Sequence, residues 1–363
     1  MFDERKGWVP DWLIPAPGLT IVDLLEERGW TQKELASRLS CTPKHVNLLI
    51  KGKAPINEEM ALKLERVLGS TMGFWLSREA RYRESLTRQA ELTLLKPYIW
   101  WLKSLPLLDM IKFGWVERCS DKAQQVAACL RFFGVSSVEV WEERWMKDLA
   151  AFRSPKIKET QKGAVAAWIR ACECQAQSMI SQTYDTQKFK DVLFEARKLT
   201  AQSNTRILIQ QLKELCGKAG VALSIVPAPK GCPAHGATCW LTSDRPLLML
   251  SNRYKSNDQF WFSFFHEAAH ILFHAKKILY IDAEGQLGNE DEEEANDYAA
   301  NFLIPLESVK HMREISHEFD SIKQFARHLD IAPGIVVGRM QNEKIIPWKT
   351  ALNNLKVKLE FNL

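Results

Sequence analysis

The sequence predicts an α+β chain that is mainly helical and contains one small β-sheet. Three patterns carry this prediction: short capped helices over residues 18–84, helical periodicity over 85–200, and short strands around long apolar helices over 201–363. A length of 363 residues suggests two or three domains. We therefore expect a leader over residues 1–17 and an all-α N-terminal domain over 18–84. A helical connecting domain over 85–200 and a C-terminal α+β domain over 201–363 should follow.

Composition restricts the class of protein. The hydrophobic content of 46% is ample for folded cores, and the net charge of +5 is compatible with nucleic-acid contact without being evidence for it. The first ten residues contain no apolar signal segment, and no apolar run reaches the roughly 18 residues of a membrane span. The 8 cysteines are scattered without paired spacing. These features predict a cytoplasmic protein with reduced thiols and no membrane partner.

The N-terminal region begins with prolines and then becomes helical. Pro10, Pro15 and Pro17 indicate an extended leader. Periodic apolar residues predict a first helix over 20–28 that ends at Gly29.

The next two helices are predicted from their capping residues. Thr31 can cap the second helix, with Glu34 three residues later completing a capping box. Thr42 can cap the third helix, Pro43 suits its first position, and Gly52 suits its end. Two helices joined by so short a turn indicate a helix-turn-helix arrangement.

The third helix is the predicted recognition helix, although the same packing could build a small helical interaction module. Ser40 occupies the turn where glycine is usual, so we expect a strained left-handed backbone there. The side chains expected to contact bases or phosphates are those that should face outward from the second and third helices. They are Gln32, Thr42, Lys44, His45, Asn47 and Lys51.

The segment WTQKELASRLSCTPKHVNLLIKGKAPINEEMALKLERVLGSTMGFWL resembles the XRE-type domains of HigA-like antitoxins. The resemblance implies that residues 18–84 recognise double-stranded operator DNA, normally as a homodimer. Such a protein would be associated with the bacterial nucleoid when it is bound to DNA.

Residues 85–200 are predicted to form a helical connecting domain without chemistry of its own. Tryptophans recur at helical spacing and are expected in cores rather than in ligand sites; they are Trp100, Trp101, Trp115, Trp141, Trp145 and Trp168.

Secondary structure over 201–363 is predicted from its apolar runs and turn residues. We expect a helix over 207–215, and then three strands over 221–226, 237–241 and 247–250. Further helices are expected over 321–329 and 334–341, with a last strand over 355–361.

The stretch from Phe260 to His274 reads FWFSFFHEAAHILFH and predicts a buried helix. His266 and His270 are four residues apart, so both imidazoles lie on one helix face and can bind one Zn²⁺. Glu267 lies beside the first histidine, where it can act on a water rather than on the metal. The alternative is a chance motif with structural histidines, but burying these groups without a metal is costly.

A third metal ligand is expected on the acidic helix that follows and that should end at Pro305. Glu292 shares a face with the apolar residues of that helix, and Glu293 and Glu294 compete with it. The alternative is a solvated acidic helix start favoured by the helix dipole. Asn296, one turn later, is placed to hydrogen-bond a ligand histidine.

HEAAHILFH followed by EEEANDYAANFLIP resembles the ImmA/IrrE family of bacterial zinc metallopeptidases, with a likeness over roughly residues 201–363. The resemblance implies a zincin-like domain with one Zn²⁺ per chain, held by His266, His270 and Glu292. It also implies that Glu267 is the general base. A donor for the developing oxyanion is desirable, and the sequence leaves four candidates: His235, Tyr298, His328 and Arg339.

Together the two resemblances predict a DNA-binding transcriptional regulator with a zinc-dependent endopeptidase domain. It would cleave a partner regulator or itself in a stress, phage-defence or toxin–antitoxin response. The alternative is a HigA-like repressor or antitoxin whose zinc domain is a non-proteolytic sensor or scaffold.

Overall fold

The structure is a computed structural model that describes residues 14–146, 159–179, 182–253, 256–274, 280–283 and 290–360. The predicted α+β class is confirmed, because helices form most of the described chain around one four-stranded sheet. Most of the predicted leader, residues 1–13, lies outside the described residues.

The chain divides into two compact units. The N-terminal unit contains residues up to Pro97 together with Lys122–Gln124, and the C-terminal unit contains the rest. This division into two units does not test the domain boundaries expected at residues 84 and 200, and these boundaries stay predictions. In the described part of the chain, no helix is long and apolar enough to cross a membrane.

In its described residues, the N-terminal unit contains five helices, and all but the first begin at a polar capping residue. They are α1 (Pro17–Arg28), α2 (Gln32–Arg38), α3 (Pro43–Ile50), α4 (Glu58–Leu68) and α5 (Met72–Leu95). The Thr31 hydroxyl accepts from the Glu34 amide at 3.1 Å, and the Thr42 hydroxyl accepts from the His45 amide at 3.2 Å. These bonds satisfy helix N–H groups that have no intrahelical partner, which explains where α2 and α3 begin.

The turn between α2 and α3 has the expected backbone. Ser40 adopts a φ of 54°, in the left-handed region, which costs strain for a residue with a side chain. Gly52 follows α3 with a φ of 64°, and a Cβ there would lie 2.7 Å from the Tyr82 ring. Apolar side chains from all five helices form the core of the unit, including Ile21, Leu35, Val46, Leu64 and Trp75.

Residues 96–201 are again largely helical. The elements are a 3-10 helix (Lys96–Ser104), α6 (Leu107–Lys112), α7 (Lys122–Phe133), α8 (Val138–Trp141), a π-helical turn (Glu142–Met146), α9 (Glu159–Gln177), α10 (Thr186–Lys198) and a 3-10 turn (Leu199–Ala201). Trp101 packs edge-on against Trp141 with ring centroids 5.2 Å apart, and Trp168 is fully buried. Two tryptophans depart from the predicted core role, because 54% of Trp100 is exposed and Trp115 is only partly buried.

The sheet follows α11 (Thr205–Lys218) and contains β1 (Ala222–Val226), β2 (Ala234–Thr242), β3 (Arg245–Ser251) and β4 (Tyr280–Ala283) in the order β1-β3-β2-β4. β1 is parallel to β3, and the other pairings are antiparallel. The three predicted strands are present, whereas β4 was not predicted. On one side Gln175 of α9 ties the helix to β1, because its Oε1 accepts from the Ser224 hydroxyl at 2.7 Å.

Helices complete the C-terminal unit. They are α12 (Asn257–Phe273), α13 (Glu290–Leu303), α14 (Leu306–Glu314), α15 (Phe319–His328), α16 (Pro333–Asn342) and a 3-10 helix (Ala351–Leu355). The strand predicted over 355–361 is wrong for the described residues, where the chain forms an isolated bridge between Ser256 and Lys358. Pairing does not extend past this bridge, because the helix α12 starts at Asn257 and the Val357 amide donates to the Asn257 side chain.

This C-terminal segment is bonded to the start of α12. The Asn257 amide donates to the Val357 carbonyl at 2.9 Å, and the Val357 amide donates to Asn257 Oδ1 at 3.1 Å. Next to them Lys356 Nζ lies 2.6 Å from Asp258 Oδ2 and 2.7 Å from Gln341 Oε1. We call these four residues, Asn257, Asp258, Lys356 and Val357, the helix-start latch.

Candidate metal centre

Helix α12 carries the predicted motif through the middle of the C-terminal unit. It packs against β2 on one side and against α13 and α16 on others. Phe260, Trp261, Phe264 and Phe265 are buried in the surrounding core, which explains why so apolar a segment is helical here. The polar residues that follow are buried as well, with exposures of 1% for His266, 0% for Glu267 and 2% for His270.

Three donor atoms converge at this point. The two imidazole Nε2 atoms of His266 and His270 are 3.1 Å apart. The Glu292 carboxylate reaches them from α13, with Oε2 3.3 Å from His266 Nε2 and Oε1 3.6 Å from His270 Nε2. All three donors lie within 4.8 Å of one another. We call His266, His270 and Glu292 the metal centre.

The donor set fits Zn²⁺. Two imidazole nitrogens and one carboxylate oxygen are a ligand set found in zinc enzymes, and three protein ligands leave a coordination position open. Among the competing glutamates, Glu292 is buried and faces the histidines, while Glu293 and Glu294 are exposed. Burying two imidazoles and a carboxylate together is costly unless a cation or hydrogen bonds compensate. The geometry therefore supports Glu292 as the third ligand.

Asn296 lies where the sequence predicted a supporting group. Its Oδ1 is 3.0 Å from Nδ1 of His266. Because the amide oxygen can only accept, this contact places the proton of neutral His266 on Nδ1. The lone pair of Nε2 is then directed towards Glu292 and His270, as a metal ligand requires.

His270 is held neutral by its surroundings. Burial, with repulsion from the protonated forms of His266 and His274 adding to it, lowers the pKa of His270 to about 2. Its ring stacks on Tyr280 of β4 with centroids 4.2 Å apart and an interplanar angle of 18°. Burial thus favours the neutral imidazole, and the stacking contact with Tyr280 fixes the plane of its ring.

The Glu267 carboxylate is positioned by β2. Thr238 Oγ1 lies 2.7 Å from Glu267 Oε2 and 3.1 Å from the Glu267 carbonyl oxygen. Gly236, two residues earlier, permits the close approach, because a Cβ at that position would lie 2.5 Å from Glu267 Oε1. Glu267 therefore has a fixed orientation beside the metal centre without being one of the three converging ligands.

The four candidate oxyanion donors lie in different surroundings. His235 is buried on β2, directly before Gly236. Tyr298 packs between Phe273 and Phe302, and burial raises its pKa to about 12. His328 is exposed at the end of α15, and Arg339 forms an ion pair with Glu343 at 2.9 Å on α16. Their roles stay predictions, and the aromatic packing of Tyr298 gives it an evident structural task.

The predicted DNA-contacting residues lie around α3. Thr42 caps this helix, and Lys44 and Lys51 are exposed. Asn47 Nδ2 lies 3.5 Å from Gln32 Oε1, so the start of α2 and the middle of α3 present adjacent amides. His45 is half-buried on the same helix.

Several residues around the centre were missed by sequence reasoning. Gly236 and Thr238 could not be found, because the sequence of their strand does not indicate that Glu267 of α12 packs against it. His274 did carry a signal, since it repeats the four-residue spacing of His266 and His270.

A helix-turn-helix unit and a buried HExxH helix with a converging glutamate define a DNA-binding regulator that carries a metallopeptidase-like domain. Residues 21–75 match the family described as Helix-turn-helix, and residues 233–339 match the IrrE N-terminal-like domain, which is a peptidase family. The chain belongs to the XRE-type helix-turn-helix regulators and carries an IrrE/ImmA-like C-terminal domain, so both predicted resemblances are confirmed.

One curated relative supports the N-terminal assignment. The chain is 36% identical over 63 residues to the uncharacterized HTH-type transcriptional regulator YddM of Escherichia coli. The match covers 17% of this chain and 67% of that relative. It therefore concerns the DNA-binding part and carries no information about the metal centre.

Proposed function

We propose that this regulator is also a zinc-dependent endopeptidase, which cleaves a partner regulator or itself in a stress, phage-defence or toxin–antitoxin response. The observation that carries the proposal is the position of Glu267, a fully buried carboxylate next to a two-histidine, one-glutamate ligand set. A structural zinc site needs the three ligands but has no evident use for an oriented carboxylate beside them.

His266, His270 and Glu292 would hold the metal, which supplies Lewis-acid chemistry for hydrolysis when it is bound. Glu267 would take the proton of the attacking water and deliver it to the departing amine. Thr238 holds one carboxylate oxygen of Glu267 at 2.7 Å, which limits the orientations from which that proton transfer takes place. His266, Glu267, His270 and Glu292 are all buried, so the charges at this site interact more strongly than they would in water.

The sheet offers a place for an extended substrate. β4 is the terminal strand among the described strands, and its Tyr280 stacks on His270. A peptide that adds to this edge by main-chain hydrogen bonds would run beside the metal centre. The proposed substrate is therefore an extended or locally unfolded protein segment.

The test uses Glu267→Gln, which removes the base but keeps the size of the side chain and all three ligands. Wild type and variant are loaded with zinc and incubated, alone and with proteins encoded by adjacent genes, with and without promoter DNA. Intact mass spectrometry reports cleavage of either protein. We expect wild type to cleave about 10²–10⁴ times faster than the variant, with equal zinc content and DNA affinity.

Equal cleavage by the two proteins would contradict the assigned role of Glu267. The alternative is a repressor or antitoxin with a non-proteolytic zinc sensor or scaffold. It predicts that wild type and Glu267→Gln regulate the promoter identically in cells under every inducing condition, while His270→Ala does not.

A further inference from the structure

A second layer of residues extends outward from His270. His274 follows α12, and its Nδ1 lies 2.7 Å from Nδ1 of His270. Its other nitrogen, Nε2, lies 3.3 Å from Glu294 Oε2 and 3.9 Å from Asp291 Oδ1. The side chain of His274 is 4% exposed, so this imidazole is held inside the protein.

The two Nδ1 atoms can share a hydrogen bond only if one of them carries the proton. His270 directs Nε2 towards Glu292, so as a neutral ligand it must carry its proton on Nδ1. His274 then accepts at Nδ1 and carries its own proton on Nε2. That nitrogen faces Glu294 and Asp291, which are acceptors. The Nδ1–H of His270 and the Nε2–H of His274 therefore each face a hydrogen-bond acceptor.

His274 does not belong to the ligand set itself. Its Nδ1 engages the nitrogen of His270 on the side of the ring away from Nε2, while Glu292 lies on the Nε2 side. The arrangement corresponds to that of Asn296 with His266. Both histidines of the metal centre thus have an acceptor at Nδ1.

We propose that His274, backed by Glu294 and Asp291, is a positioning residue that fixes the tautomer and orientation of His270 and raises the zinc affinity of the metal centre. The proposal rests on the metal-binding part of the proposed function. Tyr280 supports it independently, because its ring stacks on His270 while its hydroxyl donates to Asp291 Oδ2 at 3.2 Å. The Asp291 and Glu294 carboxylates of α13 therefore contact both of the rings, His274 and Tyr280, that lie against the His270 imidazole.

The first measurement is zinc affinity, determined by competition with a chelator on the full chain. His274→Phe removes the acceptor and fills the space, and we expect zinc to bind about 10- to 100-fold more weakly. His274→Gln retains an oxygen that can accept from His270, so its affinity should stay within about threefold of wild type. An affinity of His274→Phe equal to that of zinc-binding wild type would overturn the proposal.

A second pair of variants avoids the buried histidine. Asp291→Ala with Glu294→Ala removes both terminal acceptors, and Glu290→Ala with Glu293→Ala makes the same charge change on the same helix turn. The first pair should lose affinity relative to the second. If His274→Phe fails to fold, this comparison decides, and equal affinities of the two double variants would overturn the proposal.

Nitrogen-15 NMR of the histidine side chains in metal-free protein gives a readout separate from activity. We expect the Nδ1-protonated form of His270 in wild type, and a mixture of tautomers in His274→Phe. An Nε2-protonated His270 in wild type would contradict the proposed proton order. Wild type that takes up no zinc would instead overturn the metal-binding part of the proposed function, so the two failures are distinct.

Discussion

The hydroxyl of Thr238, in the middle of strand β2, donates a hydrogen bond to Oε2 of Glu267 on helix α12 over 2.7 Å. Both residues are buried, with exposures of 1% and 0%. Hydrogen bonds to a charged group in such surroundings are among the stronger ones, so the strand controls the carboxylate to which we assign the proton transfer.

Thr238→Val keeps the shape of the side chain and removes this donor. We expect the cleavage rate to fall about 10- to 100-fold, because the hydrogen bond to a charged group contributes about 1.5–3 kcal/mol. Thr238→Ser keeps the donor and should retain most of the activity. Rates measured at equal zinc content test this, and a fully active Thr238→Val would contradict the assigned role of Thr238.

Gly236→Ala introduces a methyl group 2.5 Å from Glu267 Oε1. The carboxylate must move, so we expect lost cleavage activity and a stability lower by about 1–3 kcal/mol. Gly217→Ala is the control, because a Cβ at that helical position meets nothing within 4 Å. Chemical denaturation compares the two variants, and a Gly236→Ala protein as stable and active as Gly217→Ala would refute the prediction.

Zinc should stabilise the C-terminal unit. A ligand that binds only the folded state at about 100 times its dissociation constant adds about 2.7 kcal/mol to the free energy of unfolding. Glu292→Gln should lose most of this gain, whereas Glu293→Gln, an exposed neighbour, should retain it. Thermal melting with and without added zinc provides the measurement, and identical zinc responses of the two variants would remove Glu292 from the ligand set.

The N-terminal unit should bind its own promoter in preference to random DNA. Asn47→Ala is expected to weaken specific binding by about 1–3 kcal/mol if Asn47 reads a base. Lys51→Ala should weaken binding to all sequences and reduce the salt slope by about one, as expected for a phosphate contact. Titrations at several salt concentrations separate the two effects. A loss of specificity in Lys51→Ala alone would reverse the two assignments.

The largely buried ion pair between Lys356 and Asp258 in the helix-start latch makes a further prediction. Lys356→Ala leaves Asp258 charged and buried, which should destabilise the C-terminal unit by about 3–5 kcal/mol. The double variant Asp258→Asn with Lys356→Met should recover much of that loss. Lys323→Ala breaks an exposed pair with Asp320 and should change stability by less than about 1 kcal/mol. Urea denaturation ranks the variants, and equal effects of Lys356→Ala and Lys323→Ala would count against the latch.

Local features were predictable from the sequence. Thr31 and Thr42 cap helices because a hydroxyl there meets an amide three residues later, which is a short-range property. The apolar surroundings and four-residue spacing of His266 and His270 likewise reflect one helix. Periodicity also pointed to Glu292, because its helix must turn its apolar face inwards.

Long-range pairings were not predictable in the same way. Thr238 and Glu267 are 29 positions apart, and apolar patterns report which face of an element is buried but not which element covers it. For the same reason the strand predicted over residues 355–361 is wrong for the described residues. Its apolar residues suit a strand, but its backbone bonds to the first turn of α12.

The helix-start latch also imposes an order of events on synthesis. Val357 is translated 100 positions after Asn257, its partner at the head of the motif-bearing helix. A growing chain therefore carries His266, Glu267 and His270 long before the bonds that anchor their helix can form. Any metal taken up before Val357 is made would meet a helix that lacks these bonds at its first turn.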